Sequence, residues 1–207
     1  MFADDFSQSV ARFPIVALEG PSGIGKSTLL DLISDNLVRA GVSFDLCRNN
    51  DSGRWSSVIR DLARVLDRPL TLALAAAAAR AELREGAHQF QLCDRFVAST
   101  LVYQRFAGLP VSYLYEVNRP LLAGSVTFIL RLEAETLEAR RRSRPGKSDW
   151  FKDRLRLSDE IELYDEATTF LRGNGHDVRV VDASPDETTL SRQLATEIAG
   201  MWKRAGS

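Results

Sequence analysis

The chain has 207 residues, of which 44% are hydrophobic and 27% are charged, a composition typical of one globular domain that excludes low-complexity disorder and a collagen-like repeat. Its 27 basic and 28 acidic residues leave a net charge of −1. This balance disfavours a protein dedicated to nucleic acid or to a membrane surface, since such proteins use excess positive charge.

Short apolar runs alternate along the chain with longer stretches of helical periodicity, a pattern that predicts an α/β fold in which helices cover a parallel sheet. Strands are expected at residues 15–18, 42–48, 90–93, 126–132 and 178–181. Helices are expected at residues 28–40, 58–66, 70–85, 98–106, 113–122, 133–142, 157–172 and 186–202. Neither a linker nor an internal repeat interrupts this alternation, so we expect a single domain across residues 1–207.

The compartment is predicted from cysteine usage and from the absence of targeting signals. Cys47 and Cys93 are too few for a disulfide framework and are typical of reduced thiols in a reducing compartment. Residues 1–12 have no apolar core segment of the kind found in signal peptides, and the longest apolar stretch, 72–79, is far shorter than the ~20 residues of a membrane span. We expect a cytoplasmic protein.

A phosphate-binding motif follows the first predicted strand. It matches the pattern G-x-x-x-x-G-K-[ST] and reads Gly20-Pro21-Ser22-Gly23-Ile24-Gly25-Lys26-Ser27. Its glycines let backbone N–H groups converge on phosphate oxygens, and the helix that follows from Thr28 presents its positive end to them. Lys26 can reach the outer phosphates, and the Ser27 hydroxyl can bind Mg²⁺. The residues predicted to bind the nucleotide here are Gly20, Ser22, Gly23, Ile24, Gly25, Lys26, Ser27 and Thr28.

A second motif, Cys93-Asp94-Arg95-Phe96, stands at the end of the third predicted strand. An aspartate at the carboxyl end of a strand beside the phosphate-binding loop can hold Mg²⁺ through water, and Arg95 would face the transferred phosphoryl group. The alternative is that Asp94 caps the helix that starts near residue 98. The upstream loop favours the catalytic interpretation.

Basic side chains are concentrated between residues 140 and 156: Arg140, Arg141, Arg142, Arg144, Lys147, Lys152, Arg154 and Arg156. One interpretation is a lid at about residues 140–152 whose arginines, Arg140, Arg142 and Arg144, close over phosphates and stabilise developing charge. The alternatives are a solvated helix face and a nucleic-acid patch. Pro145-Gly146 interrupts the run, which favours a hinged lid.

With these motifs the chain resembles the thymidylate kinase family of nucleoside monophosphate kinases. Glu19-Gly20 opens the phosphate-binding loop as in that family. The segment from Asp94 to Thr100, followed by Tyr103-Gln104, is similar to its signature DR[YH]…S[ST]…YQ. The resemblance implies a P-loop kinase fold with five parallel strands in the order 2-3-1-4-5. It also implies ATP and Mg²⁺ as cofactors, a nucleoside monophosphate such as dTMP as acceptor, and a homodimer.

The resemblance also implies roles for single residues. Arg48 matches an arginine that faces the acceptor phosphate, Arg80 one that contacts the acceptor base, and Ser184 lies in a loop against the donor adenine. The acceptor-site residues predicted in this way are Glu19, Arg48, Arg80, Ser99, Thr100 and Tyr103.

The acceptor side departs from the family pattern at three places. Ser22 stands where the family has an acid that contacts the acceptor sugar, and Asn49-Asn50 fall in a segment that is usually Arg-Glu-Pro-Gly-Gly. Ala76 and Ala79 replace a phenylalanine and an aspartate on the helix that contacts the base. We therefore expect weak activity on thymidylate and a different or bulkier preferred acceptor.

Two other functions remain open from the sequence. A kinase for a hydroxyl acceptor, such as a nucleoside, would profit from a carboxylate base, and Asp51, Glu19 or Asp94 are the candidates. Asp51 is therefore included in the predicted acceptor site. A regulatory nucleotide switch is the third hypothesis, although the chain has no Asn-Lys-x-Asp motif for reading guanine.

Overall fold

Five parallel strands form the centre of the protein, whose computed structural model describes residues 14–48, 55, 57–59, 61–62, 68–85, 90–143 and 154–205. The strands are β1 Ile15–Glu19, β2 Asp45–Arg48, β3 Gln91–Asp94, β4 Ser125–Arg131 and β5 Asp177–Asp182. Their order in the sheet is β2-β3-β1-β4-β5, and every neighbouring pair is parallel. The predicted fold and strand order are confirmed.

Helices connect the strands as the periodicity predicted, with small shifts at their ends. They are α1 Lys26–Arg39, α2 Pro69–Glu85, α3 Val97–Phe106, α4 Val111–Asn118, α5 Ala134–Ser143, α6 Leu157–Gly173 and α7 Glu187–Ala205. Of the helix expected at 58–66, residues 58, 59, 61 and 62 are helical, and the other positions lie outside the described residues. No helix in the described ranges is long and apolar enough to cross a membrane.

Two predicted elements end differently from the expectation, each for a local reason. The second strand begins at Asp45 rather than at residue 42, because Val42 belongs to the end of α1: its N–H donates to the carbonyl of Leu37 after Gly41 turns the chain with a φ of 72°. The helix expected at 113–122 ends at Asn118 and continues as a 3₁₀ helix, Arg119–Leu122, since Pro120 has no N–H to donate.

The central strand β1 is apolar on both faces because helices cover both sides of the sheet. Successive side chains of a strand point to opposite faces. Ile15 and Ala17 accordingly join a core formed with α2, α3, α4 and α6. Val16 and Leu18 join a second core formed with α1, α5 and α7. This packing places the carboxyl ends of β1, β2 and β3 at one edge of the sheet, where the predicted site residues follow the strands.

Candidate active site

The phosphate-binding loop connects β1 to α1, and its backbone requires glycine. Gly20 and Gly25 have φ values of 136° and 106°, in the region that side chains disfavour. A Cβ on Gly20 would lie 2.8 Å from the carbonyl oxygen of Leu130, which is too close for any other residue. Gly25 is the N-cap of α1, so the loop leads directly into the positive end of that helix.

Lys26 lies folded against this loop. Its Nζ donates hydrogen bonds to the carbonyl oxygens of Gly20, at 2.8 Å, and Pro21, at 2.7 Å. Burial, with a smaller contribution from the nearby guanidinium of Arg95, lowers the pKa of Lys26 to about 7. The negative charge of a phosphate would stabilise the ammonium form, so the lysine is placed to respond to an anion in the loop.

Ser27 and Asp94 come together from different elements, as predicted. Asp94 is in register with Leu18 at the ends of β3 and β1, and the Ser27 hydroxyl donates to its Oδ2 at 2.9 Å. Two oxygen donors beside a phosphate-binding loop suit Mg²⁺, which usually takes one or two protein oxygens together with phosphates and water. The alternative that Asp94 caps the next helix is not supported, since α3 has no side-chain cap at its N-cap residue, Phe96.

The carboxylate at the start of α3 is instead that of Glu19. Its Oε1 accepts hydrogen bonds from the backbone N–H groups of Phe96, at 2.7 Å, and Ser99, at 3.0 Å, and its Oε2 accepts one from the Ser99 hydroxyl. The side chain is fully buried. Its oxygens thus satisfy the first N–H groups of a helix, and a contact of Glu19 with the acceptor, or a role as a base, stays a prediction.

Arg95 is held in an unusual backbone conformation, with a φ of 69°. Such strain persists only where the surroundings over-determine it, often at functional sites. Its guanidinium donates to the hydroxyls of Tyr164, at 2.8 Å, and Ser99, at 3.1 Å, and lies 5.2 Å from the centre of the Tyr103 ring. A further hydrogen bond, to the carbonyl oxygen of Gly20 at 3.4 Å, holds the arginine beside the phosphate-binding loop, and its role toward the transferred phosphoryl group stays a prediction.

A cleft opens between α2 and the ends of β2 and β3, and we call it the acceptor cleft. Its cavity volume is about 30 Å³. Its lining residues are Cys47, Arg48, Ala76, Ala79, Arg80, Leu83, Cys93, Arg95 and Phe96. Three of the lining residues are thus arginines, and none of the lining residues among the described positions is a carboxylate.

The two arginines predicted to contact the acceptor both line this cleft. Arg80 is buried, with its guanidinium 5.9 Å from the centre of the Phe96 ring, and burial lowers its pKa to about 10. Arg48 forms an ion pair with Asp31 near the surface. Ala76 lies one helical turn before Arg80 on the same wall of the cleft.

Three other predicted acceptor residues lie behind the cleft instead of lining it. Ser99 and Thr100 are buried, and the Thr100 hydroxyl has no hydrogen-bond partner within the described residues. The Tyr103 hydroxyl donates to Glu160 at 2.7 Å. Ser99 and Tyr103 both contact Arg95 in this structure, and their contact with an acceptor stays a prediction.

The arginine-rich helix α5 reaches the phosphate-binding loop through two consecutive residues. Arg140 donates to the carbonyl oxygen of Ile24 at 3.3 Å. Arg141 packs on Gly23 and lies 3.5 Å from Glu160. Arg142 is exposed, because the next residue of a helix turns about 100° away from its neighbour. The residue at the loop is thus Arg141 rather than Arg142.

Sequence reasoning missed Glu160. This side chain of α6 is buried, with 1% of its surface exposed, and its Oε1 accepts a hydrogen bond from the backbone N–H of Ser22 at 2.8 Å. With Tyr103 and Arg141 it ties the phosphate-binding loop to α3 and α5. In the sequence Glu160 is one of two acidic residues in the first turn of a predicted helix, a pattern that does not indicate a contact with a distant loop.

The loop after β5 contains Ser184, predicted to lie against the donor base. Ser184 is exposed and donates to Asp182 through its backbone N–H, at 2.9 Å, and its hydroxyl, at 2.6 Å. The helix that follows begins at Glu187, whose Oε1 would lie 3.4 Å from a Cβ on Gly25. The loop after β5 therefore lies next to the phosphate-binding loop.

Some predicted positions lie outside the described residues. They are Asn49, Asn50, Asp51 and Arg144, together with most of the proposed lid.

Comparison with known proteins agrees with this geometry. The model of the thymidylate kinase family matches residues 18–193, from the end of β1 into α7. The chain belongs to the thymidylate kinase family. It is therefore an enzyme of the phosphotransferase class.

Individual relatives of this thymidylate kinase family member cover most of its length. The thymidylate kinase of Symbiobacterium thermophilum is 33% identical, over 86% of this chain and 89% of the relative. The thymidylate kinase of Exiguobacterium sibiricum is 24% identical, over 91% and 95% respectively. A probable thymidylate kinase of Caldivirga maquilingensis is 28% identical, over 82% and 85%.

Proposed function

We propose that the protein transfers the terminal phosphoryl group of ATP, bound with Mg²⁺, to the phosphate of a nucleoside monophosphate and releases a nucleoside diphosphate. The observation that carries this proposal is the acceptor cleft beside the phosphate-binding loop, whose lining residues include Arg48, Arg80 and Arg95. Guanidinium groups bind phosphate oxygens through charge-assisted hydrogen bonds.

The donor half of the site supports the use of ATP and Mg²⁺. The N-terminal end of α1 and the ammonium of Lys26 offer positive charge to the phosphates. Ser27 and Asp94 are the residues that would hold the metal ion, which supplies neutralisation of charge on the phosphates when it is bound. Arg140 adds a cation at the same loop.

The acceptor half favours a phosphate over a hydroxyl as the nucleophile. A monophosphate is already ionised near neutral pH, so positioning and charge neutralisation suffice. A hydroxyl would profit from a nearby carboxylate base, but Glu19 is occupied in capping α3 and Asp94 accepts from Ser27. Within the described residues, the cleft therefore suits a nucleoside monophosphate better than a nucleoside.

The nucleotide preference is expected to depend on the α2 residues that line the cleft. The relatives are named thymidylate kinases, which supports dTMP or a related nucleotide as acceptor. Ala76 and Ala79 form the α2 wall, and their small side chains provide no aromatic plate for a base. We therefore expect a weaker preference for thymidylate than is usual in the family, and a different or bulkier preferred base.

We further infer a small-molecule partner and a cytoplasmic setting, with no nucleic-acid or membrane partner. Both cysteines are free thiols in the structure, which supports a reducing compartment. The family resemblance supports a homodimer, which a light-scattering measurement of molar mass would test.

The experiment is a panel of nucleosides and nucleoside monophosphates, assayed by ADP formation from ATP with and without Mg²⁺. Monophosphates should be phosphorylated and nucleosides should not. The Lys26→Ala protein, purified in parallel, measures any contaminating kinase. A nucleoside that reacts faster than its monophosphate would establish the hydroxyl-acceptor function instead. Slow ATP hydrolysis that no acceptor accelerates would indicate a nucleotide switch.

A further inference from the structure

Glu160 is a buried carboxylate beside the phosphate-binding loop that the proposed phosphoryl transfer does not use. Its Oε1 accepts two hydrogen bonds, from the backbone N–H of Ser22 at 2.8 Å and from the Tyr103 hydroxyl at 2.7 Å. The peptide group that carries the Ser22 N–H also carries the Pro21 carbonyl, which accepts from Lys26 Nζ at 2.7 Å. Two donors from different elements on one oxygen fix the orientation of the carboxylate.

The other oxygen of this carboxylate faces a cation. Nη2 of Arg141, on α5, lies 3.5 Å from Oε2 of Glu160. The Arg141 side chain is 21% exposed and that of Glu160 only 2%, so a buried anion holds a guanidinium that solvent still reaches. The stem of Arg141 lies on the loop itself, since a Cβ on Gly23 would lie 2.6 Å from Cγ of Arg141. Glycine at this position therefore leaves room for the arginine.

We propose that Glu160 is a positioning residue for the donor phosphates: it holds the guanidinium of Arg141 against the phosphate-binding loop, where that cation contacts the phosphates of bound ATP. This inference rests on the proposed function, because it takes ATP as the occupant of the loop. A guanidinium binds phosphate oxygens in a fixed planar geometry, and holding it in place beforehand lowers the cost of ordering it on binding. The loop and α3 anchor Glu160, so its position does not depend on the helix that carries Arg141.

The variant Glu160→Gln separates positioning from charge. A carboxylate that acted only through its charge would repel phosphates, and its removal would strengthen ATP binding. The glutamine Oε1 can still accept from Ser22 and Tyr103, so its NH₂ group takes the place of Oε2 and faces Arg141. Two donors cannot form a hydrogen bond with each other. Arg141 therefore loses its partner while the loop keeps its own, and ATP binding should weaken.

The test is a double-mutant cycle on ATP binding, measured by calorimetry with Mg²⁺ and without an acceptor. Glu160→Gln should raise the Kd by about 3- to 10-fold, and Arg141→Ala should raise it by about tenfold or more. In the Arg141→Ala background, Glu160→Gln should have no further effect, because no guanidinium remains to be positioned. Glu162→Gln, at an exposed carboxylate of the same helix, is the matched control and should bind ATP as wild type does.

Tyr103→Phe is a second variant that carries the test if Glu160→Gln does not fold. It removes one of the two donors to Oε1, so the carboxylate is less firmly held. ATP binding should weaken less than in Glu160→Gln, and again only when Arg141 is present. Thermal unfolding without nucleotide checks that each protein is folded. In the activity assay, Glu160→Gln should raise the KM for ATP and leave the KM for the acceptor unchanged, a split that a general loss of stability does not produce.

Three results would overturn the proposal. An equal effect of Glu160→Gln in both backgrounds would show that Glu160 does not act through Arg141. Tighter ATP binding by Glu160→Gln would show that the carboxylate only repels phosphates, and an unchanged Kd would show that it has no part in binding. Calorimetry needs no phosphoryl transfer, so the cycle decides this inference even if the acceptor panel shows no kinase activity. A chain that phosphorylates monophosphates but gives additive effects keeps the proposed function and loses this inference.

Discussion

The donor loop and the acceptor cleft lie side by side at the same edge of the sheet, yet they are built in different ways. The donor loop is one contiguous segment, Gly20 to Ser27, whose backbone geometry needs glycine at set positions. The acceptor cleft takes its lining from β2, α2, β3 and the start of α3. The comparison suggests that donor chemistry tolerates little change, whereas the acceptor cleft can change its wall and keep its arginines.

The largest effect is expected at the donor loop. Lys26→Ala should lower kcat/KM by about 10²-fold or more, since it removes a cation from the transferring phosphate. Steady-state kinetics give the loss, and circular dichroism checks the fold. Arg119→Ala, at an exposed ion pair with Glu116, is the matched control and should behave as wild type. Near-normal turnover in a folded Lys26→Ala protein would contradict the proposed donor role.

Asp94→Asn tests the metal site between the two regions. The amide preserves shape and removes the charge that would orient the ion, so activity should fall by roughly 10- to 100-fold. Raised Mg²⁺ should restore part of the activity, while binding of ATP without Mg²⁺ stays close to wild type. The measurement is the reaction rate as a function of Mg²⁺ concentration. Asp165→Asn, on the exposed side of α6, is the control. An unchanged titration curve would assign Asp94 no part in metal binding.

Glu160 tests how strongly the donor loop depends on a distant helix. Glu160→Ala would leave the partly buried N–H of Ser22 and the hydroxyl of Tyr103 without their acceptor, at a cost of about 1–3 kcal/mol in the free energy of unfolding. Glu160→Gln keeps an acceptor oxygen and should recover much of that stability. Urea unfolding measures both proteins. Equal stability of the Ala and Gln variants would show that these hydrogen bonds contribute little.

The smallest effect is expected from refilling the wall of the acceptor cleft. Ala76→Phe places an aromatic ring one turn before Arg80, and a stack on the base is worth about 0.5–1.5 kcal/mol. The efficiency on thymidylate should rise by about 2- to 10-fold, and that on a bulkier nucleotide should fall. The ratio of the two kcat/KM values is the measurement, with Leu70→Phe on the exposed part of α2 as control. A ratio that does not move would mean that Ala76 does not set base preference.

Much of the fold was predictable because the signals are local. Apolar strands such as Ile15–Glu19 and periodic helices such as Lys26–Arg39 can be recognised within their own residues. The predicted bounds were wrong where a residue takes part in a neighbouring element. Val42 was assigned to the second strand, but its N–H bonds to the end of the preceding helix. The strand order was predicted from family resemblance, since hydrophobic pattern alone does not specify which strands are neighbours.

In the active site, too, the residues in contiguous motifs were predictable from the sequence, whereas contacts between distant residues were not. The phosphate-binding loop and the Asp94-Arg95 pair were identified from contiguous residues, and the structure brings them together through the parallel register of β1 and β3. Only the tertiary structure showed that Glu19 is buried at the start of α3, that Glu160 reaches Ser22, and that Arg141 rather than Arg142 faces the loop. Carboxylates and guanidiniums have the same chemistry in every location, so their roles depend on burial and on partners as far as 145 residues away in sequence. Such partners are chosen by the packing of whole helices on the sheet, which no short stretch of sequence contains.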